Sequence, residues 1–197
     1  MVGEHAAPEW LANINTLMVV LFVVPITHLV RNIRPVTSIG IGLALIPFSA
    51  LTISLSPVLQ ASTGKEVPLI FGLSMHPITI MVCIGIAIQG LSECFLSPKF
   101  LEYASRQAPP GEVGLYMGYS HLTTFFAWMF GFAISGYLLE AFCPDPAKVP
   151  PDQLATAYEH AHYIWYVFAG VGATAFVSLI IFKTITDAID RKKKKSE

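Results

Sequence analysis

Residues 76–101 read HPITIMVCIGIAIQGLSECFLSPKFL, a long apolar run that Gln89, Ser92 and Glu93 interrupt. A helix needs about 20 residues to cross about 30 Å of hydrocarbon, so this stretch can span a bilayer. Four other stretches have the same character, and together they predict membrane-spanning helices at about 10–30, 36–55, 76–101, 114–139 and 163–182. The expected fold class is therefore all-α: a polytopic membrane helix bundle with 1–197 as a single transmembrane domain.

The composition excludes an ordinary soluble domain. Charged residues make up 13% of the chain, about half the usual share, and hydrophobic residues make up 54%. The mean hydropathy is +0.60. One soluble core of this size could not bury so much apolar surface, so lipid is the expected solvent.

Polar and proline-containing segments separate the predicted spans. Residues 57–73 are expected to form a loop with Gly64-Lys65-Glu66 as its tip, and 143–158 a second loop rich in proline. The third helix is expected to continue past Lys99 until Pro109-Pro110-Gly111 breaks it. A basic tail, 183–197, follows the last span.

The basic residues predict the orientation in the membrane. Five spans place the two ends of the chain on opposite sides, and basic residues collect on the cytoplasmic side. With the C-terminus inside, ten of the twelve Lys and Arg residues are cytoplasmic and only Lys65 and Lys148 are outside. We therefore expect the N-terminus outside. Because residues 1–9 do not resemble a signal peptide, this start is the one expected of a chain that lacks preceding helices.

Glu93 is the most informative candidate for function. A carboxylate within a membrane span is costly, and such groups usually face a bundle interior or a water-filled cavity. Gln89 lies four residues before Glu93 and shares its helical face, and Ser92 is adjacent. A glutamate placed this way can carry a proton or hold a cationic substrate group. A structural polar contact between helices is the alternative for Glu93. His121, near the start of the fourth span, is a further titratable candidate, and a histidine at the membrane interface is the alternative for it.

Small residues predict where helices approach closely. Gly85 and Gly90 in the third span, and Gly131 and Gly136 in the fourth, offer close-packing surfaces. The aromatic residues of the fourth span surround much of that helix, which indicates lipid contact, although one face could line a cavity.

Other chemistries find little support in the sequence. No nucleophile motif, phosphate-binding loop or metal-ligand cluster appears, so we expect no enzyme activity, no cofactor and no metal. The three cysteines follow neither a disulfide nor a zinc pattern. The basic run 191–195 suits the anionic face of a membrane, and no soluble module accompanies it, so nucleic acid is not an expected partner.

The stretch QGLSECFLSP at 89–98, followed by Ala108-Pro109 and GLYMG at 114–118, resembles a family signature. It is similar to the tenth and eleventh helices of the proton-dependent oligopeptide transporters, a family of the major facilitator superfamily. Residues 14–17, INTL, with the later Pro25, resemble the eighth helix of that family. Ser92 departs from the family pattern, which has glycine before the glutamate.

The resemblance implies that the five spans are helices eight to twelve of a twelve-helix fold, a partial C-terminal half of a major facilitator. In that family the glutamate matching Glu93 faces the central cavity and helps bind substrate, typically a peptide amino group. The chain would then be the C-terminal part of a proton-coupled symporter for peptides or related small solutes, working by alternating access.

The partners implied are protons, a small-molecule substrate, the lipid bilayer and an N-terminal half from the same gene or a separate chain. The expected location is the cell membrane, and we expect this to be a bacterial inner membrane. Two alternatives remain open: a membrane interaction protein or half-transporter subunit that does not itself transport, and an integral membrane enzyme acting on lipid.

Overall fold

The computed structural model describes residues 9–64, 67–68, 74–150 and 152–196, and helices dominate these segments. A short 3-10 turn, Pro146–Lys148, lies between the helices Val113–Phe142 and Leu154–Ala157. In chain order the elements are α1 (Glu9–Leu29), α2 (Pro35–Ser54), α3 (Ser56–Thr63), β1 (Val67–Pro68), β2 (Ser74–Met75), α4 (Pro77–Gln107), α5 (Val113–Phe142), α6 (Leu154–Ala157) and α7 (Tyr163–Ser196).

Five stretches of helix are long and apolar enough to cross a membrane. Their bounds are Trp10–Leu29, Pro35–Thr63, Pro77–Gln107, Val113–Phe142 and Tyr163–Ile189. The predicted all-α membrane bundle is therefore confirmed, with its five long apolar helices. The chain is a multi-pass membrane protein.

Proline and glycine mark the helix ends for stereochemical reasons. Pro35 and Pro77 each open a helix, where the missing N–H and the fixed φ angle are tolerated. The His76 imidazole accepts a hydrogen bond from the Ile78 backbone N–H at 3.3 Å and so caps α4. Gly111, after the end of α4, has φ +89°, a conformation that glycine adopts without steric cost.

The predicted loop 57–73 is wrong over its first part. Ser56–Thr63 form α3, which follows α2 after a single intervening residue, Leu55. A proline within the first turn does not prevent a helix, and Pro57 occupies such a position. Val67 and Pro68 then pair with Met75 and Ser74 as a two-stranded antiparallel ribbon. The Lys65-Glu66 part of the predicted tip lies outside the described residues.

The structure adds detail to two later predictions, the proline-rich loop and the basic tail. The segment 143–158 is mostly irregular, as expected, but contains the 3-10 turn and α6. The basic tail is not a separate irregular segment, because α7 continues as one helix from Tyr163 to Ser196.

Helix α4 lies at the centre of the bundle, with α1 and α2 packed against it, and α2 also packs against α7. Helices α2 and α4 run in opposite directions: the Ser38 hydroxyl of α2 donates to the Phe95 carbonyl, whereas the Ser49 hydroxyl donates to the earlier Gly85 carbonyl. Lys183 of α7 likewise meets Thr37 near the start of α2. The start of α2 and the later parts of α4 and α7 therefore share one end of the bundle.

The predicted close-packing surface of α4 is confirmed. A Cβ atom added to Gly85 would overlap the Ile53 side chain and lie 3.1 Å from the Ser49 carbonyl oxygen. One added to Gly90 would lie 2.7 Å from Met18 Cβ. Only glycine permits backbones this close, so these two residues set how tightly α2 and α1 approach α4.

The same prediction is wrong for α5. Among the described residues, nothing lies within 4 Å of a Cβ atom added to Gly131 or Gly136. The physical reason is that α5 makes few contacts with the rest of the described bundle. Its large side chains, including Trp128, Phe132 and Tyr137, are mostly exposed.

Candidate functional site

A cavity of about 470 Å³ lies between α2, α4 and α7, and Glu93 lines it. Most of its wall is apolar, which isolates the few polar groups that it contains. Those polar groups are supplied by Ser49 of α2 and by Gln89, Ser92, Glu93 and Ser97 of α4. The α7 wall is apolar and contributes Trp165, Phe168, Val171, Gly172 and Ala175.

Glu93 is half-buried and has one polar partner from another helix among the described residues. The Asn15 Nδ2 group of α1 donates a hydrogen bond to Glu93 Oε2 at 3.3 Å. The other amide atom, Asn15 Oδ1, is buried and has no hydrogen-bond partner among the described residues. The Asn15 amide can therefore donate to an ionised carboxylate, and after a flip it can accept from a protonated one.

Ser92, also predicted for this site, is engaged in packing. Its hydroxyl is buried and donates to the Gly42 carbonyl of α2 at 2.8 Å. A Cβ atom at Gly42 would lie 2.9 Å from the Ser92 carbonyl oxygen. Ser49 makes a matching bond to Gly85. These two serines join α2 to α4 and hold the wall from which Glu93 projects.

Gln89 is exposed and lines the same cavity one helical turn from Glu93. The structure therefore brings together Gln89, Ser92 and Glu93. His121 is exposed on α5, a helix that contributes none of the described residues lining this cavity. A role for His121 stays a prediction.

A second cavity, of about 540 Å³, adjoins the end of the bundle away from Lys183. It is lined by residues of α2, α3, α4, α5 and the segment leading into α7, including Gln60, Cys143 and His162. Trp165 and Phe168 belong to the walls of both cavities. Their ring centroids are 6.0 Å apart, and the pair lies where the second cavity meets the one that contains Glu93.

Asn15 and the aromatic pair were not among the residues predicted for the site. Asn15 carries a signal that sequence reading can use, because an amide inside an apolar span usually finds a polar partner. Nothing in the sequence distinguishes Trp165 and Phe168 from the many aromatic residues that face lipid. Their assignment to a cavity depends on which side of α7 packs against α2.

The arrangement suits reversible binding of a proton or a cation. It places one carboxylate in a mostly apolar cavity beside an amide and two aromatic rings. An ammonium group could pair with the carboxylate and contact an aromatic face. Within the described residues, no group of three or more His, Cys, Asp or Glu side chains is placed to hold a metal ion.

Comparison with known proteins gives a family. The chain matches a family model described as Major Facilitator Superfamily over residues 4–197. No curated protein sequence gives a significant match.

Proposed function

The chain belongs to the Major Facilitator Superfamily, a superfamily of secondary transporters, and on that premise we propose that Glu93 is its proton- and substrate-binding group. The observation that carries the proposal is the position of this carboxylate, in a cavity and hydrogen-bonded to Asn15. An intramembrane acid facing a cavity is a common device for coupling proton movement to transport.

The proposed mechanism uses the two protonation states of Glu93. In its ionised state the carboxylate holds the amino group of the substrate, with Gln89 nearby as a second polar contact. The ionisation of Glu93 is tied to the side on which the cavity opens, and this link couples the movement of the proton to movement of the substrate in the same direction. The Asn15 amide serves both states, because one of its atoms donates and the other accepts.

In the proposed mechanism, substrate reaches Glu93 through the second cavity, which adjoins the cavity that Glu93 lines. We assign the second cavity as a vestibule and the pair Trp165 and Phe168 as the partition that substrate must pass. Alternating access then requires the aromatic pair to move aside when the Glu93 cavity opens to the vestibule, and to close when the cavity opens to the opposite face of the membrane.

The proposed substrates are peptides or related small solutes, and the proposed cycle is proton symport. The motif 89–98 and the residues 114–118 support this narrower assignment through their resemblance to the oligopeptide transporters. In that assignment the five spans are helices eight to twelve, and an N-terminal half completes the cavity. The exposed aromatic faces of α5 support the presence of a further helical partner.

The half-transporter alternative rests on the same exposed helix. A chain that pairs through α5 with another subunit, yet transports nothing, would leave the same apolar surface uncovered. An uptake assay distinguishes the two possibilities. The symporter accumulates labelled dipeptide in proteoliposomes under an inward proton gradient, whereas the interaction subunit does not.

Glu93→Gln tests the central proposal. In the transporter reconstituted with its N-terminal half, we expect this variant to lose proton-driven uptake, because glutamine is neutral at every pH. Glu93→Asp keeps the carboxylate and should restore part of the uptake. Glu140→Gln removes an exposed carboxylate of α5 and serves as the matched control. Proton-driven uptake by Glu93→Gln at the control rate would contradict the mechanism.

A further inference from the structure

A shallow groove of about 300 Å³ runs between α2 and α7, separate from the two cavities described above. Apolar residues form its body, among them Gly40, Ala44, Phe176 and Leu179. Gly40 and Ala44 lie one turn apart on α2, and their small side chains leave the space that the groove occupies. Among the described residues that line the groove, Lys183 is the one charged residue.

The charged end of the groove lies where the apolar part of α7 gives way to polar sequence. The Lys183 ammonium donates a hydrogen bond to Thr37 Oγ1 at 3.2 Å. Among the side chains that the structure describes, Lys183 forms no ion pair. Arg34, one turn before Thr37, is 82% exposed and lies 3.9 Å from Asp187, a loose surface pair. Arg34 and Asp187 therefore lie close to the charged end of the groove.

The dimensions suit a chain-like ligand. From Thr37 to Ala44 the groove follows α2 for about 10 Å at 1.5 Å per residue. It starts at the charged end and continues along apolar helix surface that faces hydrocarbon in a bilayer. A ligand that fills the body and also meets Lys183 must be amphiphilic, with an anionic head and an apolar tail.

We propose that this groove binds one anionic phospholipid. Its phosphate is held by Lys183, Thr37 and Arg34, and one acyl chain lies along Gly40 and Ala44. Basic pockets between membrane helices are favourable sites for anionic headgroups. The acyl chain completes the packing between α2 and α7, where the absent side chain of Gly40 and the small side chain of Ala44 leave a gap.

Native mass spectrometry of the full chain, exchanged into detergent with equal phosphatidylglycerol and phosphatidylcholine, tests the headgroup contact. We expect one phosphatidylglycerol molecule to remain bound in preference to phosphatidylcholine. Lys183→Gln should lower its retention about fivefold, the factor that one lysine contributes near an anionic surface. Lys148→Gln removes the same charge from an exposed turn outside the groove and should leave retention unchanged. An equal loss in both variants would overturn the site.

A second pair of variants tests the acyl chain. Among the described residues, a Cβ atom at Gly40 meets only Leu179, at an ordinary 3.5 Å, and the rest of a leucine side chain at this position would occupy the groove. Gly40→Leu should lower phosphatidylglycerol retention while the chain stays folded by circular dichroism. Gly131→Leu, on the open face of α5, is the control. Full retention by Gly40→Leu, or displacement of the lipid by inorganic phosphate alone, would overturn the proposal that the groove holds an acyl chain.

Discussion

Helices α4 and α5 are similar in length and are both apolar and glycine-containing, yet they sit in the molecule in opposite ways. α4 is enclosed by α1 and α2, and Cys94 near its middle is 1% exposed. α5 keeps most of its large side chains exposed, with only Ser120 and Leu138 buried. In lipid, apolar side chains alone give helices no reason to associate.

The difference between the two helices lies in what their small and polar residues meet. On α4, Gly85 allows backbone approach, and hydroxyl-to-carbonyl bonds at Ser49 and Ser92 fasten α2 across the contact. On α5, the hydroxyls of Ser120 and Thr123 bond to carbonyls of their own helix. Helix association in this protein therefore depends on complementary surfaces on two helices, and a glycine on one helix is insufficient.

The largest effect is expected when the α2–α4 contact is blocked. Gly85→Val places side-chain atoms where Ile53 and the Ser49 carbonyl already lie. Overpacking of this kind costs about 1–3 kcal/mol, so the unfolding midpoint in denaturant should fall clearly. Gly136→Val, on the open face of α5, should leave the free energy of unfolding within about 0.5 kcal/mol of the parent. Equal effects would show that the two glycine surfaces are equivalent.

A smaller effect is expected from removing one interhelical hydrogen bond. Ser92→Ala deletes the 2.8 Å bond to Gly42 and leaves that carbonyl without this donor. Such bonds in membrane proteins contribute about 0.6 kcal/mol on average. Thr123→Ala removes a bond within α5 and should cost less. The same denaturant titration measures both variants, and a larger loss for Thr123→Ala would reverse the comparison.

The mildest test leaves both regions intact and compares thiol reactivity. Burial raises the pKa of the Cys143 thiol, so at pH 7.5 less of it is thiolate and maleimide labelling should be slow, then accelerate as the pH rises. A single-cysteine variant retaining buried Cys94 should label much more slowly still. Faster labelling of Cys94 than of Cys143 would contradict the enclosed position of α4.

A single-cysteine variant that retains Cys143 tests the orientation of the chain in the membrane. The basic residues predict that the segment after α5 lies outside the cell, so an impermeant maleimide added to intact cells should label Cys143. Labelling only after the membrane is permeabilised would reverse the predicted orientation.

The sequence predicts the structure correctly where a local property, such as apolar length or helical period, is sufficient to determine it. The five long helices follow from apolar length, because a backbone in lipid must bond within its own segment. The shared face of Gln89 and Glu93 follows from helical period alone. The prediction was wrong at Pro57, because this proline was assigned to a loop and lies in the first turn of α3.

In the candidate site, too, some residues could be predicted from the sequence and others could not. Glu93 was recognisable from the sequence because an intramembrane carboxylate is conspicuous and costly. Its partner Asn15 and the aromatic wall at Trp165 and Phe168 come from helices far away in the chain. Their contribution depends on which helix faces which, and hydropathy carries no information about that choice.

The sequence by itself therefore determined that this protein is a bundle of membrane-spanning helices with an acid inside one span. Solvent imposes that result on each segment separately. Only the tertiary structure decided that Gly85 and Gly90 are packing surfaces while Gly131 and Gly136 are not, and that Glu93 opens into a cavity beside Asn15. These outcomes depend on pairs of helices. In lipid, close packing between two complementary surfaces stabilises helix association, whereas the apolar character of a single helix does not.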